Sequence, residues 1–224
     1  MRPGESALFP EVVTEAIVVI DLVESTTTSN LFGWYAVGRG LMRELRALIT
    51  QVSHCRGLRC LKSMGDGYLL TFGDVQSAEM AAVHAVEAAF ELLEVIALRN
   101  RDVPEERTLN LRFAIHLGEV DVVVNDREGP HVSYAFRLEA ISRASLPAAL
   151  NPLPPEQLPV RNYVLCSEEV AGILARRSER WHPRCIGLFK LKGFPGWREV
   201  FQVLPKSSNE AESMFTPTLI EQQT

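Results

Sequence analysis

Residues 16–26 read Ala-Ile-Val-Val-Ile-Asp-Leu-Val-Glu-Ser-Thr. The first five are apolar and mostly β-branched, with no polar alternation, which predicts a strand buried on both faces. The run stops on a carboxylate, Asp21, and Ser25 and Thr26 are good helix N-caps. A helix is therefore predicted to follow to about residue 53, its apolar face carried by Leu41, Leu45, Leu48, Ile49 and Val52 at three-to-four spacing. Downstream, residues 59–64 and 68–72 are short strands joined by Gly65-Asp66-Gly67, a hairpin turn.

The rest alternates in the same way. Residues 75–98 are Ala-rich and amphipathic, hence helical; 109–117 form a strand, Gly118 breaks it, and 120–124 form a second. Residues 132–142 read as a helix, 146–159 as a Pro-rich loop, 163–166 as a strand and 168–176 as a helix, with strands at 186–191 and 199–204 closing the series. The pattern predicts an α+β fold with a mainly antiparallel sheet flanked by helices. Composition marks a disordered tail over 206–224, where Ser, Asn, Glu and Gln accumulate, and before it an extension over 1–14 and one domain over 15–205 are expected.

The chain has 224 residues, 46% of them hydrophobic, enough for one well-buried core. Its formal net charge is −5 and no Lys or Arg run stands out, so a nucleic-acid partner is not expected. Cys55, Cys60, Cys166 and Cys185 lack metal-ligand spacing and read as reduced thiols. The start of the chain is not built like a signal peptide, and no apolar run approaches the roughly 20 residues of a membrane span. A cytoplasmic protein with no membrane partner is the expectation.

Two acids sit where chemistry could use them. Asp21 ends a buried strand and Asp66 fills a hairpin tip, so the two carboxylates can converge beside a helix start whose free N–H groups suit phosphate oxygens. Each has an ordinary reading when taken singly, as a helix-start acid or a turn residue. Together, with Lys62 four residues before Asp66, they point to metal-assisted phosphate chemistry.

Five segments, in order, carry a resemblance. Residues 17–26 resemble the first strand and phosphate loop of class III adenylate and guanylate cyclase domains, and residues 61–72 (Leu-Lys-Ser-Met-Gly-Asp-Gly-Tyr-Leu-Leu-Thr-Phe) resemble their metal-acid hairpin. Residues 111–120 are similar to their central strand, 129–139 to the helix with the transition-state arginine, and Leu191-Lys-Gly193 with Glu199-Val-Phe201 to the last hairpin. The resemblance implies a ferredoxin-like class III cyclase domain acting on a nucleoside triphosphate with two divalent cations, Mg2+ or Mn2+. Asp21, Asp66 and the Leu22 carbonyl would hold the metals. Lys62 and Asp126 would read the base, Arg137 would stabilise the pentavalent phosphorus, Ser133 would face the ribose, and Glu24, Ser25, Thr26 and Lys192 or Lys190 would meet phosphates. It further implies a homodimer with composite sites, one subunit supplying the metal acids and the other Lys62, Asp126 and Arg137.

The match has departures. Glu24 stands where relatives commonly carry Gly and is expected to point outward; Ser133 replaces a ribose-orienting Asn, keeping a hydroxyl but losing reach. Tyr134 and Phe136 are bulkier than usual, with core packing the expected job. Adenine, uracil and cytosine each fit the Lys62–Asp126 pair, and guanine is expected to fit worst. Ser133 and the absence of a recognisable sensor domain favour a resemblance to the Pycsar pyrimidine cyclases of bacterial antiphage defence, making cyclic UMP or cyclic CMP, ahead of an adenylate cyclase. Two other classes share parts of this pattern. One is a degenerate cyclase-homology module that binds without turnover, against which the retention of Asp21, Asp66, Lys62, Asp126 and Arg137 counts; the other is a polymerase-like palm, against which the low positive charge counts.

Overall fold

The computed structural model describes residues 10–23, 38–75 and 77–206. Strand β1 (Glu11–Leu22) is the centre of the fold. It is followed by helix α1 (Arg39–Ser53), the hairpin β2 (Leu58–Ser63) and β3 (Gly67–Phe72), and the long helix α2 (Ala78–Arg99). Then come β4 (Leu111–Val123), the short β5 (Asp126–Glu128), α3 (Pro130–Glu139), β6 (Tyr163–Ser167), α4 (Glu168–Arg177), β7 (Trp181–Phe189) and β8 (Arg198–Pro205). The strands form one sheet in the order β2-β3-β1-β4-β6-β8-β7, with β5 added against β4. Only β4 and β6 run parallel; the other pairs are antiparallel.

β1 is buried on both faces from Glu15 to Ile20 because helices cover both sides. Ala16, Val18, Ile20 and Leu22 pack toward α1, α2 and α4, while Ile17 and Val19 pack with Val120 toward Val132 and Ala135 of α3. Each such Val, Ile or Leu side chain contributes on the order of 1.5–3 kcal/mol by leaving water. Ser77 caps α2 by accepting from the Met80 N–H (3.2 Å). The loop expected over 146–159 contains 3-10 turns at Arg143–Ala148 and Pro155–Gln157, and its Leu146 and Leu158 are fully buried.

One sequence expectation fails. Gly118 does not break a strand; β4 runs through it and pairs with β1 along its length, Gly118 opposite Glu15. The glycine serves close packing instead, since a Cβ there would lie 2.2 Å from the ring of His131. That ring stacks on buried His116, which also contacts Ser167 Oγ (2.9 Å) and so links α3, β4 and the start of α4. The first part of the predicted helix, before residue 38, and the tail beyond residue 206 lie outside the described residues.

Candidate active site

Asp21 and Asp66 meet because β1 and β3 pair in register to their ends, with Asp21 opposite Gly67. The Gly-Asp-Gly turn is built for this approach. Gly65 adopts φ +92°, a value only glycine takes cheaply, and Met64 N–H bonds back to the Gly67 carbonyl (2.9 Å). Gly67 must be glycine because a Cβ would sit 2.2 Å from the Ile20 carbonyl oxygen. The Leu22 N–H donates to the Asp66 carbonyl (3.2 Å), which ties the hairpin tip to the end of β1.

On its other side Asp21 faces Arg112 of β4. Arg112 donates to Asp21 Oδ2 from Nη2 (2.5 Å) and Nε (3.2 Å), and its Nη2 forms an ion pair with Glu139 Oε1 (3.1 Å) at the end of α3. Burial opposes the charge on Arg112, yet the bonds it donates to Asp21 and the field of Glu139 keep the guanidinium firmly protonated. Burial, aided by the charges of Asp21 and Asp66, pushes the Glu139 carboxyl up to about 7 despite Arg112. Two carboxyl groups thus share one guanidinium, with Asp66 near enough for its charge to act on Glu139.

That surplus of negative charge at a strand end fits a cation. Two carboxylates beside a backbone carbonyl are the oxygen-only donor set that Mg2+ or Mn2+ prefers, with water and phosphate oxygens to complete it. No cluster of three or more His, Cys, Asp or Glu residues at metal-binding distances occurs among the described residues.

A second group forms at the β4–β5 hairpin. Lys62 of β2 hydrogen-bonds Asp126 of β5 through Oδ2. Burial alone would raise the Asp126 carboxyl, but the bonds from Lys62 and from the Arg127 backbone N–H outweigh it and hold it below the usual range. Ser133 and Arg137 lie one helical turn apart on α3, both exposed, and no ion pair or hydrogen bond among the described residues engages Arg137. Tyr134 and Phe136 turn inward: Tyr134 lies between His116 (4.3 Å between centroids) and Phe194 (5.0 Å). Lys190 sits over the Trp197 ring at 4.9 Å, and Lys192 is exposed in the turn after β7. Glu24, Ser25 and Thr26 lie outside the described residues. Sequence reasoning missed Arg112, Glu139, Glu15 and Arg127; the available signal was a charge inside an otherwise apolar strand, as in Leu111-Arg-Phe-Ala-Ile115.

Residues 16–141 match the family described as "Adenylate and Guanylate cyclase catalytic domain", more than half of the chain and the stretch that holds Asp21, Lys62, Asp66, Asp126 and Arg137. The chain belongs to that family. Among individual cyclases it is 40% identical over 84 residues to "Putative adenylate cyclase 3" of Rhizobium meliloti (strain 1021), a segment that is 38% of this chain and 13% of that protein. The chain therefore spans only a small part of that relative. The fold is shared with the adenylyl cyclase CyaB from P. aeruginosa (TM-score 0.67, 20% identity, covering 88% of this chain and 98% of that one). It is also shared with a structure titled a non-canonical dimeric guanylyl cyclase domain from Blastocladiella emersonii (TM-score 0.62, 16% identity, 88% and 99% covered). No helix among the described residues of this cyclase domain is long and apolar enough to cross a membrane.

Proposed function

We propose that this chain converts a nucleoside triphosphate into its 3′,5′-cyclic monophosphate and pyrophosphate, at a site shared by two copies of the chain. The observation that carries the reading is the adjacency of Asp21 and Asp66 at two paired strand ends, with Arg112 and Glu139 beside Asp21. Asp21, Asp66 and the Leu22 carbonyl would hold two divalent cations, Mg2+ or Mn2+, which when bound make the 3′-hydroxyl easier to deprotonate and neutralise the triphosphate.

The protein's own residues do the rest. The 3′-oxygen forms a bond to the α-phosphorus as the bond to the bridging oxygen of pyrophosphate breaks, and charge builds on the equatorial oxygens. Arg137 would place its planar fork on those oxygens. Glu24, Ser25 and Thr26 would line the phosphate loop, and Lys192 would meet the outer phosphates. Arg137 and Ser133 point off the exposed face of α3, where they can serve a nucleotide held by a second chain.

Lys62 donates and Asp126 accepts at the base. Guanine is not the outlier that the sequence reading makes it: its O6 and N1–H offer the same acceptor–donor order as O4 and N3–H of uracil. The preference must then come from the sugar and the pocket around it. Ser133 is the departure there, and it supports UTP or CTP as substrate, as in the pyrimidine cyclases of antiphage signalling. A second reading, ATP to cyclic AMP, is favoured by the Rhizobium meliloti relative. Incubating the protein with each NTP and Mn2+ tests both: a 3′,5′-cyclic product from UTP or CTP supports the first, from ATP alone the second. No product from any NTP, or product undiminished in Asp21→Ala, overturns the cyclase reading.

A further inference from the structure

Asp126 is the only residue of β5 that the reaction is proposed to use, and β5 is three residues long, held to β4 by three residue pairs. Such a short edge strand does not fix a carboxylate by itself. The structure supplies the missing constraint from an unexpected place, the far end of β1. Glu15 and Arg127 form a two-point ion pair, Nε to Oε2 at 2.7 Å and Nη2 to Oε1 at 3.1 Å. Their side chains are only 6% and 9% exposed.

Two further donors of Arg127 go to Asp126. Nη1 donates to its backbone carbonyl (2.9 Å), and the Arg127 backbone N–H donates to Oδ1 (2.8 Å). Lys62 takes Oδ2. Asn125, at φ +58°, makes the turn just before, and its carbonyl lies 3.8 Å from the Cys60 sulfur. The carbonyl of Asp126 is thus set by a guanidinium that Glu15 holds from inside the sheet, and the same anchored residue presents its backbone N–H to Oδ1. Lysine could not copy this, because only a planar fork reaches both partners at once.

We propose that Glu15 and Arg127 are positioning residues for base recognition, aiming the Asp126 carboxylate so that its free lone pairs and Lys62 meet the base edge in a fixed geometry. A buried ion pair could serve only to hold the hairpin, so the two roles must be separated by more than stability. The inference rests on Lys62 and Asp126 reading the base, and the experiment keeps the two failures apart.

Cyclization kinetics with the four NTPs would be measured on the intact dimer for wild type, Asp126→Asn, Arg127→Lys and Glu15→Gln. Arg127→Lys keeps the charge but loses the fork; Glu15→Gln keeps an acceptor and serves if the lysine variant does not fold. Either is expected to raise KM for the preferred NTP roughly 10-fold and to flatten the ratio of kcat/KM between bases, with kcat nearly kept, as outer-shell partners do. If Asp126→Asn changes the base ratios while the folded Arg127→Lys or Glu15→Gln variants leave KM and ratios at wild-type values, the pair is structural only and the proposal is overturned. If Asp126→Asn itself leaves the ratios unchanged, the base-reading assignment fails and takes this inference with it.

Discussion

Arg112 Nη2 lies 2.5 Å from Asp21 Oδ2, so the acid proposed to bind metal is held in the free chain by a guanidinium from the neighbouring strand. The same nitrogen is 3.1 Å from Glu139. Arg112 therefore does for Asp21 and Glu139 part of what a divalent cation would do, keeping negative groups together at a strand end.

Removing that guanidinium should be costly. Arg112→Met leaves Asp21 and Glu139 without a counter-charge in a mostly buried setting, and a loss of about 2–3 kcal/mol is expected from urea denaturation, below the value for a fully buried pair. Added Mg2+ should restore part of it in Arg112→Met. Equal stability of variant and wild type without metal would show that the three charges are not coupled.

Glu139 gives the stability a pH signature. Its carboxyl stands at about 7 in the folded chain against 4.5 for the ordinary group, so its protonated form favours folding. Its contribution is fully present below about pH 4.5 and is lost as pH rises through 7, by roughly 3 kcal/mol at most. Melting curves without divalent cation should show wild type losing stability across that window and Glu139→Gln losing much less. Parallel curves would mean that Glu139 titrates normally.

Arg137 should matter for rate alone. It is exposed and unbonded among the described residues, so Arg137→Ala should melt with wild type while kcat falls about 100-fold or more, the scale set by removing a charge that the transition state needs. A change confined to KM would assign it to substrate binding instead.

Ser133→Asn tests the substrate. Asparagine restores the longer side chain with both an acceptor and a donor, and it should move the ratio of kcat/KM toward ATP relative to UTP and CTP. An unchanged ratio in an otherwise active variant would remove Ser133 from base choice.

Much of this was readable in the chain, for reasons that differ by element. β1 announced itself because a β-branched run with no polar alternation has no stable place but between two layers, and Gly65-Asp66-Gly67 could only be a tight turn. Gly118 misled because isolated glycine usually punctuates a strand, whereas here paired strands carry it and His131 fills the space its side chain would take. β5 was invisible: Asp-Arg-Glu has no apolar pattern, and its place depends on Glu15, 112 residues away from Arg127. Arg112 and Glu139 were missed for the same reason. A charge in a strand shows its purpose only when the partner that neutralises it is in view.

Two inactive variants test the composite site most directly. Asp21→Ala and Arg137→Ala, each with activity near background, would be mixed in equal amounts and assayed for 3′,5′-cyclic product with the NTP that wild type uses. Random pairing places one intact site in half of the dimers, so about a quarter of wild-type activity is expected from the mixture. A mixture no more active than its components, when wild type is active and dimers exchange, would contradict a site built from Asp21 of one chain and Arg137 of the other.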